Sequence, residues 1–445
     1  EYLVAKKSGG DFLLRIEDTD QERKVDGAID FIYDTLKLCG FVIDEGPMNE
    51  GNCGPYIQSE RKDIYKKYAL ELVEKGKAYY CFCSEEELTA MRERANARKR
   101  PFLYDGRCSK LSKEKIEENL KNGVPYVIRQ KMPKTGVTIV EDVIYGKIKI
   151  DNSILDDQIL LKSDGFPTYN FANVVDDHLM EITHVIRGKE YLDQTAKYNL
   201  LYEAFGWEKP TYIHVAMVLG EDGNKLSKRN GDASFMDLYN EGYLPHAVVN
   251  YLVLLGWSPS VNQEVFSMEE LLSTFDESRI SKSSSQYDVK KLQWFNAQYI
   301  KKMDDEEYLQ WIKPFFKKDV SNKTEDWIDK LLLIYKNHIS YGAEINDVTT
   351  NFFEEVSMDE ECQEFMNSDA IIEDVVKAFR EEIENMSEWT SENINEAINQ
   401  VKTKVGAKGK MLYMPIRIKA SGLMHGPELA DTLYLIGKDK ILERF

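Results

Sequence analysis

Hydrophobic and polar positions change their spacing along this chain, and the change predicts mixed α/β structure first and helices afterwards. In residues 29–39 the apolar positions recur at helical spacing, and Gly40 ends the helix. Residues 161–207 predict a strand, a turn at Gly165, a helix, a second strand and a second helix. From about residue 304 onward the pattern is helical and acidic. We therefore expect an α/β first half and an all-α carboxyl-terminal half.

Charged residues follow two neighbouring predicted strands. The strand 183–186 ends at Arg187, and a loop with Lys225 and Lys228 leaves the strand 212–218. Because the carboxyl ends of parallel strands meet at one edge of a sheet, we expect Arg187 and Lys228 to share a pocket. Arginine offers a planar fork for a carboxylate, although a surface salt bridge would also explain Arg187.

An acidic group follows another predicted strand near the start of the chain. Residues 12–16 predict a buried strand that runs into Glu17. This position is typical of ligand-binding groups in an open α/β sheet. Asp18 or Thr19 is also suited to cap the next helix, so a structural role stays open.

The composition limits the class of protein and its partners. The chain has 445 residues, 42% of them hydrophobic, and no apolar run approaches the roughly 18 residues that span a bilayer. Six cysteines in this length predict a reducing cytoplasm rather than a disulfide framework. The net charge of −19 argues against general attraction to nucleic acid, so any such contact needs a local basic surface. The closing segment offers one candidate surface, formed by Lys402, Lys404, Lys408, Lys410, Arg417 and Lys419.

Three sequence motifs resemble one enzyme family. GEDGNKLSKRNGDAS, with Lys225 and Lys228, is similar to the KMSKS-type signature of class I aminoacyl-tRNA synthetases. RIEDTD and GPYIQSER are similar to the glutamyl- and glutaminyl-tRNA synthetases specifically. With its helical carboxyl half, the chain resembles the bacterial-type glutamyl-tRNA synthetases over nearly its whole length.

The resemblance implies a fold with five regions. A Rossmann-like parallel sheet is expected to be interrupted by a mixed α/β insert that receives the tRNA acceptor end, and an all-α half is expected to follow. The implied regions are the first half of the catalytic fold (1–60), the acceptor-binding insert (61–160), the second half of the catalytic fold (161–230), a helical stem-contact region (231–303) and a helical anticodon-binding region (304–445).

The resemblance also implies roles for individual residues. Lys225 and Lys228 would act in catalysis, with Lys228 stabilising the pyrophosphate leaving group. The residues implied for glutamate are Glu17, Tyr169, Asn173 and Arg187. Those implied for ATP are Glu190, the Val218 backbone and Lys228, and those implied for tRNA are Thr19, Asp20 and Arg417.

Two groups of residues suggest metal ligands. Cys81, Cys83 and Cys108 offer three thiolates, and the resemblance suggests Tyr104 as a fourth zinc ligand. Three thiols without metal are the alternative. For the run 176–178 (Asp-Asp-His) we expect hydrogen-bonding or capping roles rather than metal, because adjacent residues do not face one another on a helix.

The function implied is ATP-dependent ligation of L-glutamate to tRNA(Glu) through a glutamyl-adenylate, with Mg²⁺ accompanying ATP. We expect a cytoplasmic monomer. The family's HIGH-type signature precedes the first residues of this chain, so we expect the amino-terminal segment to be lacking. A catalytically inactive paralogue that binds tRNA or glutamate, and a glutamine-activating relative, remain open.

Overall fold

The computed structural model describes residues 1–19, 27–226 and 234–445. Its α-helices in these residues are α1 (Tyr2–Lys7), α2 (Ala28–Leu38), α3 (Lys62–Glu74), α4 (Glu85–Ala97), α5 (Lys113–Lys121), α6 (Tyr169–Leu179), α7 (Thr195–Phe205), α8 (Phe235–Asn240), α9 (Pro245–Gly256), α10 (Met268–Thr274), α11 (Val289–Lys302), α12 (Asp305–Ile312), α13 (Glu325–Ile334), α14 (Ile345–Val348), α15 (Glu360–Met366), α16 (Ile371–Glu384), α17 (Ser391–Val405), α18 (Lys410–Ser421), α19 (Leu429–Ile436) and α20 (Lys438–Arg444). Its strands are β1 (Ala78–Cys81), β2 (Val127–Gln130), β3 (Val137–Asp142), β4 (Gly146–Asp151), β5 (Ile159–Leu161), β6 (His184–Gly188), β7 (Thr211–Val215), β8 (Val218–Leu219) and β9 (Ser285–Gln286). None of the helices in the described ranges has the length and apolar character needed to cross a membrane.

The chain divides into two compact units. The first comprises the described residues of Glu1–Leu226 and Leu252–Tyr287. The second comprises the described residues of Ser227–Tyr251 and Asp288–Phe445. The five predicted regions remain predictions.

The first unit contains the strands, which confirms the predicted α/β character. One sheet has the order β4-β3-β7-β6, with β6 and β7 parallel and β3 and β4 antiparallel. A second sheet has the order β1-β2-β5, and β8 pairs with β9 in parallel. The pair β3 and β4, from the predicted insert, thus continues the sheet of β6 and β7.

Helices α3, α6 and α7 pack on a shared apolar core in this unit. Buried side chains of the helices, such as Tyr65, Phe171 and Leu201, pack with Ile128 and Leu160 of the strands. The core fixes α6 beside β5 and α3, and α6 carries several of the predicted site residues. Removing this apolar surface from water is the main force that positions α6.

Two segments of the first unit differ from the sequence-based expectation. Residues 12–16 do not form a regular strand, because they pair only at isolated bridges, Leu13 with Glu45 and Ile16 with Ile57, and they are only partly buried. The region 231–303 was expected to be helical, but it also includes the short strand β9.

The second unit is helical in its described residues, as the period of the apolar positions predicted. Helix α16 is representative: Ile372, Val375, Phe379 and Ile383 recur at three- and four-residue spacing and are all buried. The core that they join extends to α20. Several of these helices begin with a side-chain cap, as Asp304 does for α12.

Candidate functional site

Helix α6 presents two predicted site residues on one face, because Tyr169 and Asn173 are one turn apart. Tyr169 begins the helix and is 38% exposed, whereas Asn173 is buried. Both atoms of the Asn173 side-chain amide lack a hydrogen-bond partner among the described residues, although the hydroxyls of Tyr169 and Tyr198 lie nearby. A buried amide without a protein partner costs free energy unless water or a ligand supplies the hydrogen bond, so Asn173 is a candidate ligand contact.

Arg187 lies near the carboxyl end of β6, as predicted. Its guanidinium carbon is 4.8 Å from the ring centre of Tyr198 and 5.9 Å from that of Tyr191. Within the described ranges, its Nη1 atom is buried without a hydrogen-bond partner, and so is the hydroxyl of Tyr212 on the adjacent β7. Burial raises the pKa of Tyr198 to about 12, with Arg187 opposing the shift. The Tyr198 hydroxyl donates a hydrogen bond of 2.7 Å to Asn170. Asn173, Arg187 and Tyr212, which we call the pocket, therefore offer an amide, a cation and a hydroxyl to a ligand.

Glu17 also lies near Tyr169. Its Oε1 atom accepts a hydrogen bond of 3.0 Å from Arg15, and its side chain is 34% exposed. Burial raises the pKa of Tyr169; Glu17 adds to the shift and Arg187 opposes it, so both charges act on this one hydroxyl. The structure thus places Glu17, Asn173 and Arg187 all near Tyr169.

The residues implied for a nucleotide are only partly described. Glu190 accepts a 2.6 Å hydrogen bond from Lys225, which lowers the pKa of Glu190 and raises that of Lys225. Val218 begins β8, and its carbonyl accepts a hydrogen bond of 3.2 Å from the Leu226 amide. Lys228 lies outside the described residues.

The expected strand 212–218 is confirmed only as far as Val215. The strand ends at Val215 as β7, and β8 begins at Val218 and pairs with β9 in a different sheet. The loop with Lys225 therefore leaves β8 and not the sheet that carries Arg187. The Lys225–Glu190 ion pair, rather than a shared sheet edge, brings the start of this loop close to β6.

The residues implied for tRNA are in different units. Thr19 is partly buried, and Asp20 lies outside the part of the chain that the structure describes. Arg417, on α18, donates a 2.8 Å hydrogen bond to the Pro427 carbonyl, and burial lowers its pKa. Among the other basic residues of the closing segment, Lys404 pairs with Glu382.

Asp18 accepts hydrogen bonds of 2.8 and 2.6 Å from the Ser59 amide and hydroxyl. Asp18 therefore ties residues 12–19 to the GPYIQSER segment. The expected helix cap by Asp18 or Thr19 stays a prediction, because residues 20–26 lie outside the described residues.

The three predicted cysteines and Tyr104 do come together. The sulfur atoms of Cys81, Cys83 and Cys108 all lie within 4.8 Å of one another. The Tyr104 hydroxyl is 3.4 Å from the Cys81 sulfur and 3.3 Å from the Cys83 sulfur. A hydrogen bond from Cys108 is the main cause that lowers the pKa of Cys81, so the site favours a thiolate.

The run 176–178 contributes buried hydrogen bonds, as we expected. Asp176 accepts hydrogen bonds of 2.9 Å from Gln58, 2.8 Å from Arg61 and 2.8 Å from Tyr65. Sequence reasoning missed these three partners, although two of them lie in GPYIQSER. It also missed Arg15, whose position inside a predicted buried strand was the available signal.

Comparison with known proteins gives two family matches. Residues 1–294 match the catalytic domain of class I tRNA synthetases (E and Q), and residues 307–445 match an anticodon binding domain.

Alignments with individual relatives cover all of this chain and nearly the whole length of each relative. A glutamate–tRNA ligase of Clostridium tetani is 47% identical over 450 residues, covering 100% of this chain and 91% of the relative. One from Clostridium botulinum (strain Eklund 17B) is 48% identical over 452 residues, covering 100% and 92%. The crystal structure of a glutamate–tRNA synthetase from Elizabethkingia anophelis has a TM-score of 0.88 and 35% identity, covering 100% of this chain and 93% of that one. A glutamate tRNA ligase from Elizabethkingia meningosepticum, solved in complex with its amino acid, has a TM-score of 0.87 at 35% identity, with the same coverage.

Proposed function

This chain belongs to the class I tRNA synthetases for glutamate and glutamine, and we propose that its pocket of Asn173, Arg187 and Tyr212 recognises the amino acid. The enzyme ligates L-glutamate to tRNA(Glu) with ATP through a glutamyl-adenylate. The α-carboxylate attacks the α-phosphate of ATP and pyrophosphate leaves. A ribose hydroxyl of the terminal adenosine of the tRNA then attacks the carbonyl carbon of the adenylate, which forms the ester and releases AMP. Mg²⁺ bound with ATP would neutralise phosphate charge. Since no protein nucleophile is needed, the residues act by positioning and by charge.

The observation that carries this proposal is the unpaired, buried polar surface around Arg187. A glutamate side-chain carboxylate would accept hydrogen bonds from the Arg187 Nη1, the Asn173 amide and the Tyr212 hydroxyl, which lack partners among the described residues. Charge-assisted bonds of this kind are the strong ones, and low local dielectric strengthens them further. Glutamine carries no side-chain charge and would leave the guanidinium uncompensated, so the pocket favours glutamate.

The remaining groups of the substrate fit the flanks of the pocket. Glu17 would hold the ammonium group, and Tyr169 would lie between the two ends of the amino acid.

For ATP we propose Glu190, the Val218 backbone, Lys225 and Lys228. The Lys225–Glu190 ion pair supports a role for both at the nucleotide, because phosphate oxygens would compete for the same lysine. The role of Lys228 at the leaving pyrophosphate follows from the resemblance of its loop.

For tRNA we propose Thr19 and Asp20 near the acceptor end and Arg417 near the anticodon. The match of residues 307–445 to an anticodon binding domain supports the last assignment. The predicted insert, 61–160, is our proposal for the surface that receives the acceptor end.

We also propose a zinc ion at Cys81, Cys83, Cys108 and Tyr104. In a tetrahedral zinc site with Zn–S bonds of about 2.3 Å, two sulfur ligands lie about 3.8 Å apart. The Sγ atoms of Cys83 and Cys108 are 3.6 Å apart. The donor set therefore fits a structural ion, which would tie β1 to the segment before α5. The six cysteines are free, in keeping with a proposed cytoplasmic location.

Replacing Arg187 tests the proposal. In Arg187→Gln we expect kcat/KM for L-glutamate to fall by about 100-fold or more, because a buried, charged partner of the substrate is removed. The preference for glutamate over glutamine should narrow by a similar factor. Lys189→Gln removes an exposed positive charge two residues away and is the matched control. It should leave kcat/KM for L-glutamate and the preference for glutamate over glutamine nearly unchanged. An equal loss for glutamate and glutamine in Arg187→Gln would contradict the assignment.

A further inference from the structure

Arg15 lies close to three carboxylates, those of Glu17, Asp176 and Asp177. Its Nη2 atom donates to Glu17 at 3.0 Å, and its Nη1 atom is 2.9 Å from an oxygen of Asp177. Its Nε atom is 3.8 Å from Asp176. One guanidinium thus contacts three carboxylates. A lysine or a neutral side chain at this position could not contact all three with the same geometry, because it lacks the planar fork of the guanidinium.

The three carboxylates differ in their freedom to move. The side chains of Asp176 and Asp177 are 0% and 8% exposed, and both are on α6, which the apolar core fixes. Asp176 is also held by Arg61, whose side chain is 2% exposed. Glu17 is the most exposed of the three, at 34%, and it follows a segment that pairs only at isolated bridges. The α6 aspartates therefore set the position of Arg15, and Arg15 sets the position of Glu17.

This arrangement connects Glu17 to helix α6. The helix carries Asn173, and through Asp177 and Arg15 it also holds Glu17. Without Arg15, the Glu17 carboxylate would have the conformational freedom of a side chain in an irregular segment. Ordering such a side chain at the moment of binding costs free energy that a preorganised site avoids.

We propose that Arg15 is a positioning residue for the amino acid substrate: paired with Asp177 of α6, it holds the Glu17 carboxylate where that carboxylate can receive the substrate ammonium group. The inference rests on the proposed role of Glu17 as the partner of the substrate ammonium group. It assigns to Arg15 no contact with the substrate, so its whole effect on catalysis passes through Glu17.

A double-mutant cycle in the full-length enzyme tests this dependence. The variants are Arg15→Lys, which keeps the charge and loses the fork, Glu17→Gln, and the combination. We expect Arg15→Lys to raise KM for L-glutamate by about 10- to 100-fold and to leave KM for ATP unchanged, as loss of one charge-assisted hydrogen bond implies. In the Glu17→Gln background the same replacement should have almost no further effect on glutamate.

Matched variants separate positioning from general damage. Lys6→Gln removes another partly buried cation of the same unit, paired with Asp44, and its effect should be the same with and without Glu17→Gln. Asp177→Asn keeps Arg15 but weakens the ion pair that holds it. This variant provides a second test of the inference if Arg15→Lys does not fold. We expect Asp177→Asn to show the same coupling to Glu17→Gln.

The outcomes are distinct. If Arg15→Lys raises KM for glutamate equally in both backgrounds, Arg15 does not act through Glu17 and the inference is overturned. If Glu17→Gln by itself leaves KM for glutamate unchanged, the proposed ammonium site fails, and the inference fails with it. Equal rises in KM for glutamate and ATP would indicate general damage and would also overturn it.

Discussion

Asp176 provides the sharpest test of what holds the site together. Its side chain is 0% exposed and accepts hydrogen bonds from Gln58, Arg61 and Tyr65 across more than a hundred residues of sequence. Asp176→Asn preserves the shape but removes the charge that compensates the buried guanidinium of Arg61. Breaking a buried ion pair from one side costs about 3–5 kcal/mol. For a unit of this size that corresponds to a fall of about 6–20 °C in Tm.

The assay combines urea unfolding with hydrogen exchange. Urea titration gives the free energy of unfolding, and exchange in peptides from α3 and α6 reports whether the loss is local to the helices that Asp176 joins. Glu118→Gln is the control, because its pair with Lys115 is exposed and should contribute only about 0–1 kcal/mol.

A double variant checks the cause. Arg61→Met should be destabilising by itself, because it leaves a buried carboxylate without its closest cation. Arg61→Met with Asp176→Asn should cost about 1–3 kcal/mol less than the sum of the single changes. Additive losses, or a loss of less than about 1 kcal/mol in Asp176→Asn, would refute the reasoning.

Three further outcomes are expected. Arg187→Met should leave the Tm of the ligand-free protein unchanged or higher, because the buried Nη1 has no partner among the described residues. It should also abolish the rise in Tm that L-glutamate causes. A clear drop in the Tm of the ligand-free variant would contradict this expectation. Burial lowers the pKa of His214 against the opposing effect of Asp142, so the unfolded chain takes up a proton that the folded chain does not. The free energy of unfolding should therefore fall as pH drops through about 6.5, and His214→Gln should show a shallower dependence in urea titrations; an unchanged slope would argue against it. Elemental analysis of purified protein should find zinc, and Cys83→Ser should lower its content; no zinc above the buffer level would exclude the proposed ion.

Local pattern predicted the parts of the site that lie within one element. Tyr169 and Asn173 share a face of α6 because they are one turn apart, and Arg187 follows from the end of a short apolar strand. The grouping of Cys81, Cys83 and Cys108 was likewise expected from their spacing and from the resemblance, and the structure brings them within 4.8 Å.

The expectations that were wrong depended on pairing between distant segments. Residues 12–16 have the apolar character of a strand, but only isolated bridges to the segments around Glu45 and Ile57 form. Residues 212–218 have the apolar run of one strand, but Val218 pairs with Ser285 and so joins another sheet. A strand forms only where a second segment makes hydrogen bonds with its backbone N–H and C=O groups. The sequence of the strand alone does not show which segment that is.

The sequence by itself determined the α/β first half, the helical second half, the family to which the chain belongs and the residues of the proposed amino acid pocket, because each depends on local spacing or on a short motif. Only the tertiary structure decided that Asp176 and Asp177 are the buried partners of Arg61 and Arg15. It also decided which polar atoms of the proposed pocket are buried without a hydrogen-bond partner among the described residues. The physical reason is that the energy of a buried charge depends on what surrounds it in space, and these partners come from segments more than a hundred residues apart in the chain.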